Sequence, residues 1–198
     1  MKNNIRKIKI DNFTIRVLKK EDAKLLKDAI DTSLDHLRTF MDFAKEEPLP
    51  LQHKIDKIEK WEKAFVENSK YTYGIFIGNK LLGNCSLYTG KYNKTTGSVL
   101  ELGYWIRASE INKGIATIAT LALLKIAFEY IKIERVEIHL YKKNIASSKI
   151  PEKLGFTKMQ DYTYDKKNDS SWYLMTKEEY LEKKLLYNQY FKDIEAIY

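Results

Sequence analysis

Apolar and polar residues alternate along Phe13-Thr14-Ile15-Arg16-Val17, which predicts a first strand, and the spacing changes to a helical one over Glu21 to Ile30. A second, shorter helical stretch, Ser33 to Phe43, is closed by Glu47-Pro48-Leu49-Pro50, because proline lacks the N–H that a helix needs. Leu51, Ile55, Ile58, Trp61 and Phe65 recur at helical spacing and mark a third helix. Strands follow over Tyr71 to Ile77 and Leu81 to Thr89, joined by the tight hairpin Gly78-Asn79-Lys80. Lys91 to Gly97 reads as a polar turn. It leads into Val99-Leu100-Glu101-Leu102-Gly103-Tyr104-Trp105-Ile106, an apolar strand with a carboxylate in its middle.

Apolar residues take nearly every side of Lys113 to Ile131, so this helix should be buried against a sheet. Val136, Ile138 and Leu140 form the next alternating strand. Ala146 to Leu154 reads as a short helix stopped by Gly155. Closing strands are expected around Phe156–Tyr164 and Ser171–Met175, with Asp165 to Asp169 as their turn. Thr176 and Glu179 form a capping box that opens a final helix to about Tyr198. Its Leu181, Leu185, Tyr190, Phe191, Ile194 and Ile197 would dock either on their own domain or on a second subunit, giving a homodimer. Helices early and strands around one central βαβ unit predict a mixed α/β (α+β) domain. We divide the chain into a domain over residues 1–180 and a helical extension over 181–198.

Composition narrows the classes. A chain of 198 residues suits one domain with a real core, and 44% hydrophobic with 31% charged residues is an ordinary globular balance. No apolar run is long enough to span a bilayer. The basic start, Met1-Lys2-Asn3-Asn4-Ile5-Arg6-Lys7, is followed by no apolar signal region, so a cytoplasmic protein is expected. Cys85, the single cysteine, has no internal disulfide partner and lies in an apolar strand as a small hydrophobe. His36, His53 and His139 show no ligand spacing, so no metal is expected. His139 alternates with Ile138 and Leu140, which leaves it as a structural histidine or one that faces a cleft. The net charge of +8 is scattered through mixed-charge helices without a basic-aromatic motif. Sequence-specific nucleic-acid binding is therefore not expected, while anionic partners would be steered in.

The chemistry concentrates in Asn112-Lys113-Gly114-Ile115-Ala116-Thr117, set between the Glu101 strand and the buried helix. A small-residue turn there uncovers the first N–H groups of the helix. With the positive end of the helix dipole they make a cradle for phosphate oxygens. A carboxylate on the preceding strand adds a potential base. The combination points to an enzyme that uses a phosphorylated cofactor.

On these segments the chain resembles the GNAT-superfamily N-acetyltransferases, and within them the branch that acetylates the N-termini of ribosomal proteins. The resemblance runs from Phe13 to Tyr180. It is carried by Glu101 to Ile106, Lys113 to Thr117, Asn144-Ile145-Ala146-Ser147 and Glu152-Lys153-Leu154-Gly155-Phe156. The family loop is Gln/Arg-x-x-Gly-x-Gly/Ala; Gly114 and Ala116 match its small positions, while Ile111 stands where Gln or Arg is usual and Asn112 where this branch often has a further glycine.

The resemblance implies a central, mostly antiparallel mixed sheet that splays to admit acetyl-CoA, with no metal. The loop Asn112 to Thr117 would bind the coenzyme A phosphates. Backbone N–H groups near Trp105 and Ile106 would hold the pantetheine arm or polarise the thioester carbonyl. Asn144 would bond the pantetheine amide or cap the following helix. Glu101, sharing a strand face with Gly103 and Trp105, would take the proton of the incoming ammonium or form an ion pair with a nearby Lys or Arg. Ser147 would protonate the departing thiolate or serve as an N-cap, with Ser148 and Tyr104 as substitutes. The acceptor implied is the N-terminal α-amine of a ribosomal protein, attacking the thioester directly. The alternatives are a small-molecule amine (polyamine, aminoglycoside or amino-acid-like) or a non-catalytic module for acyl-CoA or RNA. Acceptor choice should lie in Ser33 to Pro50, with His36, Arg38 and Asp42, and in the hairpin from Lys158 to Ser171.

Overall fold

The alternating segments become strands where the pattern predicts them. The computed structural model describes residues 5–89, 98–165, 168–190 and 195–197. Its strands are β1 (Lys7–Ile10), β2 (Phe13–Val17), β3 (Lys70–Ile77), β4 (Lys80–Tyr88), β5 (Val99–Ile106), β6 (Arg135–Tyr141), β7 (Thr157–Lys158), β8 (Tyr162–Asp165), β9 (Asn168–Thr176) and β10 (Glu195–Ile197). Among the described residues they form one sheet in the order β10-β1-β2-β3-β4-β5-β6-β9-β7, with β8 beside β9. Every neighbouring pair is antiparallel except β5 and β6. This is the mixed, mostly antiparallel sheet expected. The turn over Lys91 to Gly97 lies outside the described residues, as do residues 166–167 of the Asp165 to Asp169 turn.

Helices cover both faces: α1 (Ala23–Asp31), α2 (Leu34–Arg38), α3 (Leu51–Val66), α4 (Ile115–Lys125), α5 (Ile145–Lys153) and α6 (Lys177–Asn188). Period-two alternation sends β5 side chains to two different cores. Leu100 and Leu102 join the core built on α4, and Trp105 joins the one built on α1, where its ring lies 6.2 Å from that of Phe43. Strands β4 and β5 approach so closely that a Cβ on Gly83 would lie 2.2 Å from the Trp105 carbonyl oxygen, which only glycine permits. Burial of Cys85 is complete and pushes its thiol far above the ordinary range, so it packs as a hydrophobe.

Several boundaries depart from the sequence reading: Lys7–Ile10 is a strand ahead of the expected first one, the strand expected around Phe156–Tyr164 is broken into β7 and β8, and β8 and β9 take in Asp165, Asn168 and Asp169 of the expected turn. The stretch Ser33 to Phe43 divides into α2 and a separate 3-10 turn, Asp42–Glu46. The buried helix begins at Ile115 and ends as a π turn, Ile126–Ile131, stopped by Lys132 at φ 63°. The final helix stops at Asn188, and Glu195–Ile197 is not helix but a strand that pairs Lys7 with Ile197 and Lys9 with Glu195. Pairing there satisfies the open edge of β1. The Thr176–Glu179 capping box is formed, with reciprocal bonds of 3.2 and 2.7 Å. Tyr180 and Tyr187 dock α6 on its own domain, while Leu181 and Leu185 stay exposed.

Candidate active site

The parallel ladder between β5 and β6 is short: it pairs Val99 with Arg135, Leu100 with Val136 and Glu101 with Glu137, and goes no further. Beyond Glu101 the two strands diverge, β6 continuing on β9 and β5 on β4. Alternate backbone groups of Leu102 to Ile106 are therefore left without a ladder partner on the cleft side. A notch opens in the sheet, with Glu101 at its apex.

One wall of the notch is the start of α4. Asn112 (φ 62°) and Gly114 (φ 75°) both take the left-handed conformation, in which asparagine and glycine are the least strained residues. This accounts for Asn112 in a loop otherwise served by glycine. The first intrahelical bond runs from the Ile118 N–H to the Gly114 carbonyl, so the N–H groups of Ile115, Ala116 and Thr117 have no carbonyl of their own helix, and no side chain caps them. A Cβ on Gly114 would meet no atom within 4 Å, so the space above the helix start is open. A cavity of about 410 Å³ runs from there past Trp105 and Ile106 to Asn144 and Ser147. Open amides, a dipole end and a narrow cleft suit a phosphate-bearing ligand with an extended arm.

A second cavity, of about 260 Å³, holds Glu101, Tyr88, His139 and Tyr162, with Asp42 at its wall. The two spaces share Tyr104, Asn144, Ser147, Phe40 and Met41. Among the described residues, no lysine or arginine lines the second one. The Tyr88 hydroxyl donates to Glu101 Oε1 at 2.6 Å, and among the described residues no lysine or arginine lies within ion-pair distance of Glu101. Lys70 lies behind Tyr88, its ammonium 5.0 Å from the ring centre; burial lowers its pKa and the Glu101 charge offsets part of that.

Residues 12–157 match the Acetyltransferase (GNAT) domain family. The chain belongs to the GNAT acetyltransferases. It is 29% identical over 147 residues, 74% of this chain and 78% of the relative, to "Putative ribosomal N-acetyltransferase YdaF" of Bacillus subtilis (strain 168). A crystal structure titled "Probable acetyltransferase" superimposes with a TM-score of 0.75 at 27% identity, covering 85% of this chain and 95% of that one. The ribosomal L7/L12 α-N-protein acetyltransferase RimL in complex with coenzyme A shares the fold, with a TM-score of 0.75 at 17% identity over 84% of this chain and 94% of that one.

Within this GNAT domain the expected residues separate into two groups. Ile115, Ala116, Thr117, Gly114, Asn112, Trp105, Ile106, Asn144 and Ser147 all border the first cavity. Lys113 does not; its ammonium turns to Glu110 Oε2 at 2.9 Å. Glu101 borders only the second cavity. Ser147 is not an N-cap. Helix α5 begins at Ile145, so Asn144 is the cap, its Oδ1 accepting the Ser147 N–H at 3.2 Å. Tyr104 reaches the same turn, its buried hydroxyl donating to the Ser147 carbonyl at 3.2 Å.

The acceptor-side candidates divide as well. His36 faces the first cavity, and Asp42 the second, accepting from the Tyr141 hydroxyl at 3.1 Å. Arg38 is structural: it donates to the carbonyls of Ala44 and Glu47 and so ties down the segment between α2 and α3. That segment also holds a fully buried ion pair between Lys54 Nζ and Glu47 Oε1. His139 lines the second cavity and is partnered at once: Nδ1 lies 2.8 Å from Tyr162 Oη, Nε2 lies 3.1 Å from Glu137 Oε2, and the ring stacks on Trp172. Both of its alternatives hold. Sequence reading missed Tyr88, Phe40, Met41 and Tyr162. The one available signal for Tyr88 was its place on an alternating strand that pairs with the Glu101 strand.

Proposed function

We propose that this acetyltransferase carries the acetyl group of acetyl-CoA to the N-terminal α-amine of a ribosomal protein, in the cytoplasm. The observation that carries the reading is the pair of cavities meeting at Tyr104, Asn144 and Ser147, one headed by open helix amides and the other holding a carboxylate with no lysine or arginine among its described lining residues. The first suits the phosphates and pantetheine arm. The second suits an ammonium. The relatives named for ribosomal N-acetyltransfer support the acceptor class.

The chain's own residues supply positioning and proton handling. Ile115, Ala116 and Thr117 direct N–H groups at phosphate oxygens. Asn144 keeps its amide nitrogen for the arm while its oxygen caps α5. Backbone N–H groups of the unpaired β5 edge polarise the carbonyl under attack, where negative charge develops. Acetyl-CoA, when bound, supplies the thioester. Glu101 receives the proton released by the amine, with Tyr88 fixing the carboxylate, and Ser147 offers a hydroxyl to the thiolate that leaves. Holding amine and thioester together supplies much of the rate. An α-amine titrates near pH ~8 against about 10.4 for lysine, so it needs less help to shed its proton.

The test incubates the protein with acetyl-CoA, a ribosomal extract and a panel of small amines, and locates the added acetyl groups by mass spectrometry. Acetyl on a protein N-terminus is expected. Acetyl found only on small amines or lysine side chains would overturn the acceptor class, and none anywhere would overturn the activity.

A further inference from the structure

A carboxylate stands where a strongly anionic ligand is to be held. Glu110 ends the 3-10 turn Ala108–Glu110 and lines the first cavity beside Asn112 and Gly114. Its side chain is 12% exposed and binds two ammonium groups: Lys80 Nζ at 2.6 Å on Oε1 and Lys113 Nζ at 2.9 Å on Oε2. Lys80 comes from the first position of β4 and Lys113 from the loop that opens α4, so the cluster joins two elements at Glu110, the one of the three that lines the cavity. The two lysines hold the Glu110 carboxyl down at about 2, which keeps it charged at any working pH.

We propose that Glu110 is an internal competitor for coenzyme A: it occupies the two cations beside the phosphate cradle, weakens nucleotide binding and so favours release of the product. The inference rests on the acetyl-CoA reading above. An incoming phosphate must either draw an ammonium off the carboxylate or lie near a like charge, and both reduce what the helix start supplies. With glutamine at this position the cluster changes from one net positive charge to two, and both lysines turn to the ligand.

Glu110→Gln should therefore bind coenzyme A tighter. Ion pairs of this kind, each with a half-exposed lysine, give about a 1.5- to fivefold fall in Kd at low salt. The gap should close as salt screens the mouth of the cavity. Glu110→Asp, which keeps the charge, should stay close to wild type.

The assay is calorimetric titration of each variant with coenzyme A at low and high salt, with melting temperatures confirming that each is folded. A Kd for Glu110→Gln equal to or weaker than wild type would overturn the proposal, showing that the carboxylate organises the lysines for phosphate. An equal gain in Glu110→Asp would also overturn it, assigning the effect to shape. A wild type that binds no coenzyme A would instead sink the acetyl-CoA reading itself, so the two failures are distinct.

Discussion

Lys54→Met tests how the acceptor-side wall is held. Lys54 lies in α3 with its side chain fully buried, and its ammonium bonds Glu47, whose side chain is 1% exposed. The second Glu47 oxygen accepts the Leu49 N–H at 2.8 Å, and its carbonyl accepts from Arg38. Between Arg38 and Glu47 run Phe40, Met41 and Asp42, which line the cavities. Methionine replaces the lysine stem in volume but leaves a buried carboxylate that keeps only the Leu49 N–H and the more distant Lys57 charge. Removing one partner of such a pair costs about 3–5 kcal/mol. The retained Leu49 N–H argues for the lower end, about 3 kcal/mol, a large part of a total stability of roughly 5–15 kcal/mol. Urea unfolding followed by tryptophan fluorescence measures it. The double variant Lys54→Met, Glu47→Met removes both charges and should recover much of the loss, giving a strong coupling in the double-mutant cycle. A single-variant loss below about 1 kcal/mol, the scale of exposed pairs, would refute the reasoning. So would additive losses in the double variant.

The remaining predictions concern the two cavities. Glu101→Gln should cut turnover far more than it changes the Kd for coenzyme A; an unchanged rate removes the carboxylate from proton transfer. Gly114→Ala should weaken coenzyme A binding and lower stability by about 1–2 kcal/mol, through left-handed strain because its Cβ meets no atom within 4 Å. Wild-type affinity in calorimetry would dismiss the cradle. Asn144→Ala should cost about 1 kcal/mol in thermal unfolding through the lost cap and also weaken coenzyme A binding, whereas loss of the cap alone would leave the ligand unaffected. The Glu110 carboxyl is depressed by Lys80 and Lys113, so its stabilisation is present above the usual carboxylate range and is lost as pH falls towards about 2. Melting temperatures of wild type and Glu110→Gln should accordingly converge on acidification; a constant difference would contradict the ion-pair assignment.

Local features were legible from residue order. The capping box at Thr176, the stop at Gly155 (φ 69°) and the turn at Gly78 (φ 53°) are each decided by a few neighbouring residues. The open start of α4 belongs with them, since its parts are successive N–H groups and a left-handed glycine at the head of one helix. Misplaced boundaries came where a distant partner decided the outcome. The strand at Glu195–Ile197 exists because β1 offers an edge, and nothing near those residues announces it.

The amino-acid order by itself therefore determined most of the elements, the open start of the helix at Ile115 to Thr117, and the alternation that puts Glu101 opposite Leu100 and Leu102. Tertiary structure alone decided what meets Glu101. The ladder of β5 with β4 sets Tyr88 across from it, and the end of the β5–β6 ladder makes it the apex of the notch. The register of β6 with β9 stacks His139 on Trp172 in the same cavity. The physical reason is range: a cap or turn is bonded within a few residues, whereas cross-strand contacts depend on which strands pair and in what register, and no local interaction encodes that.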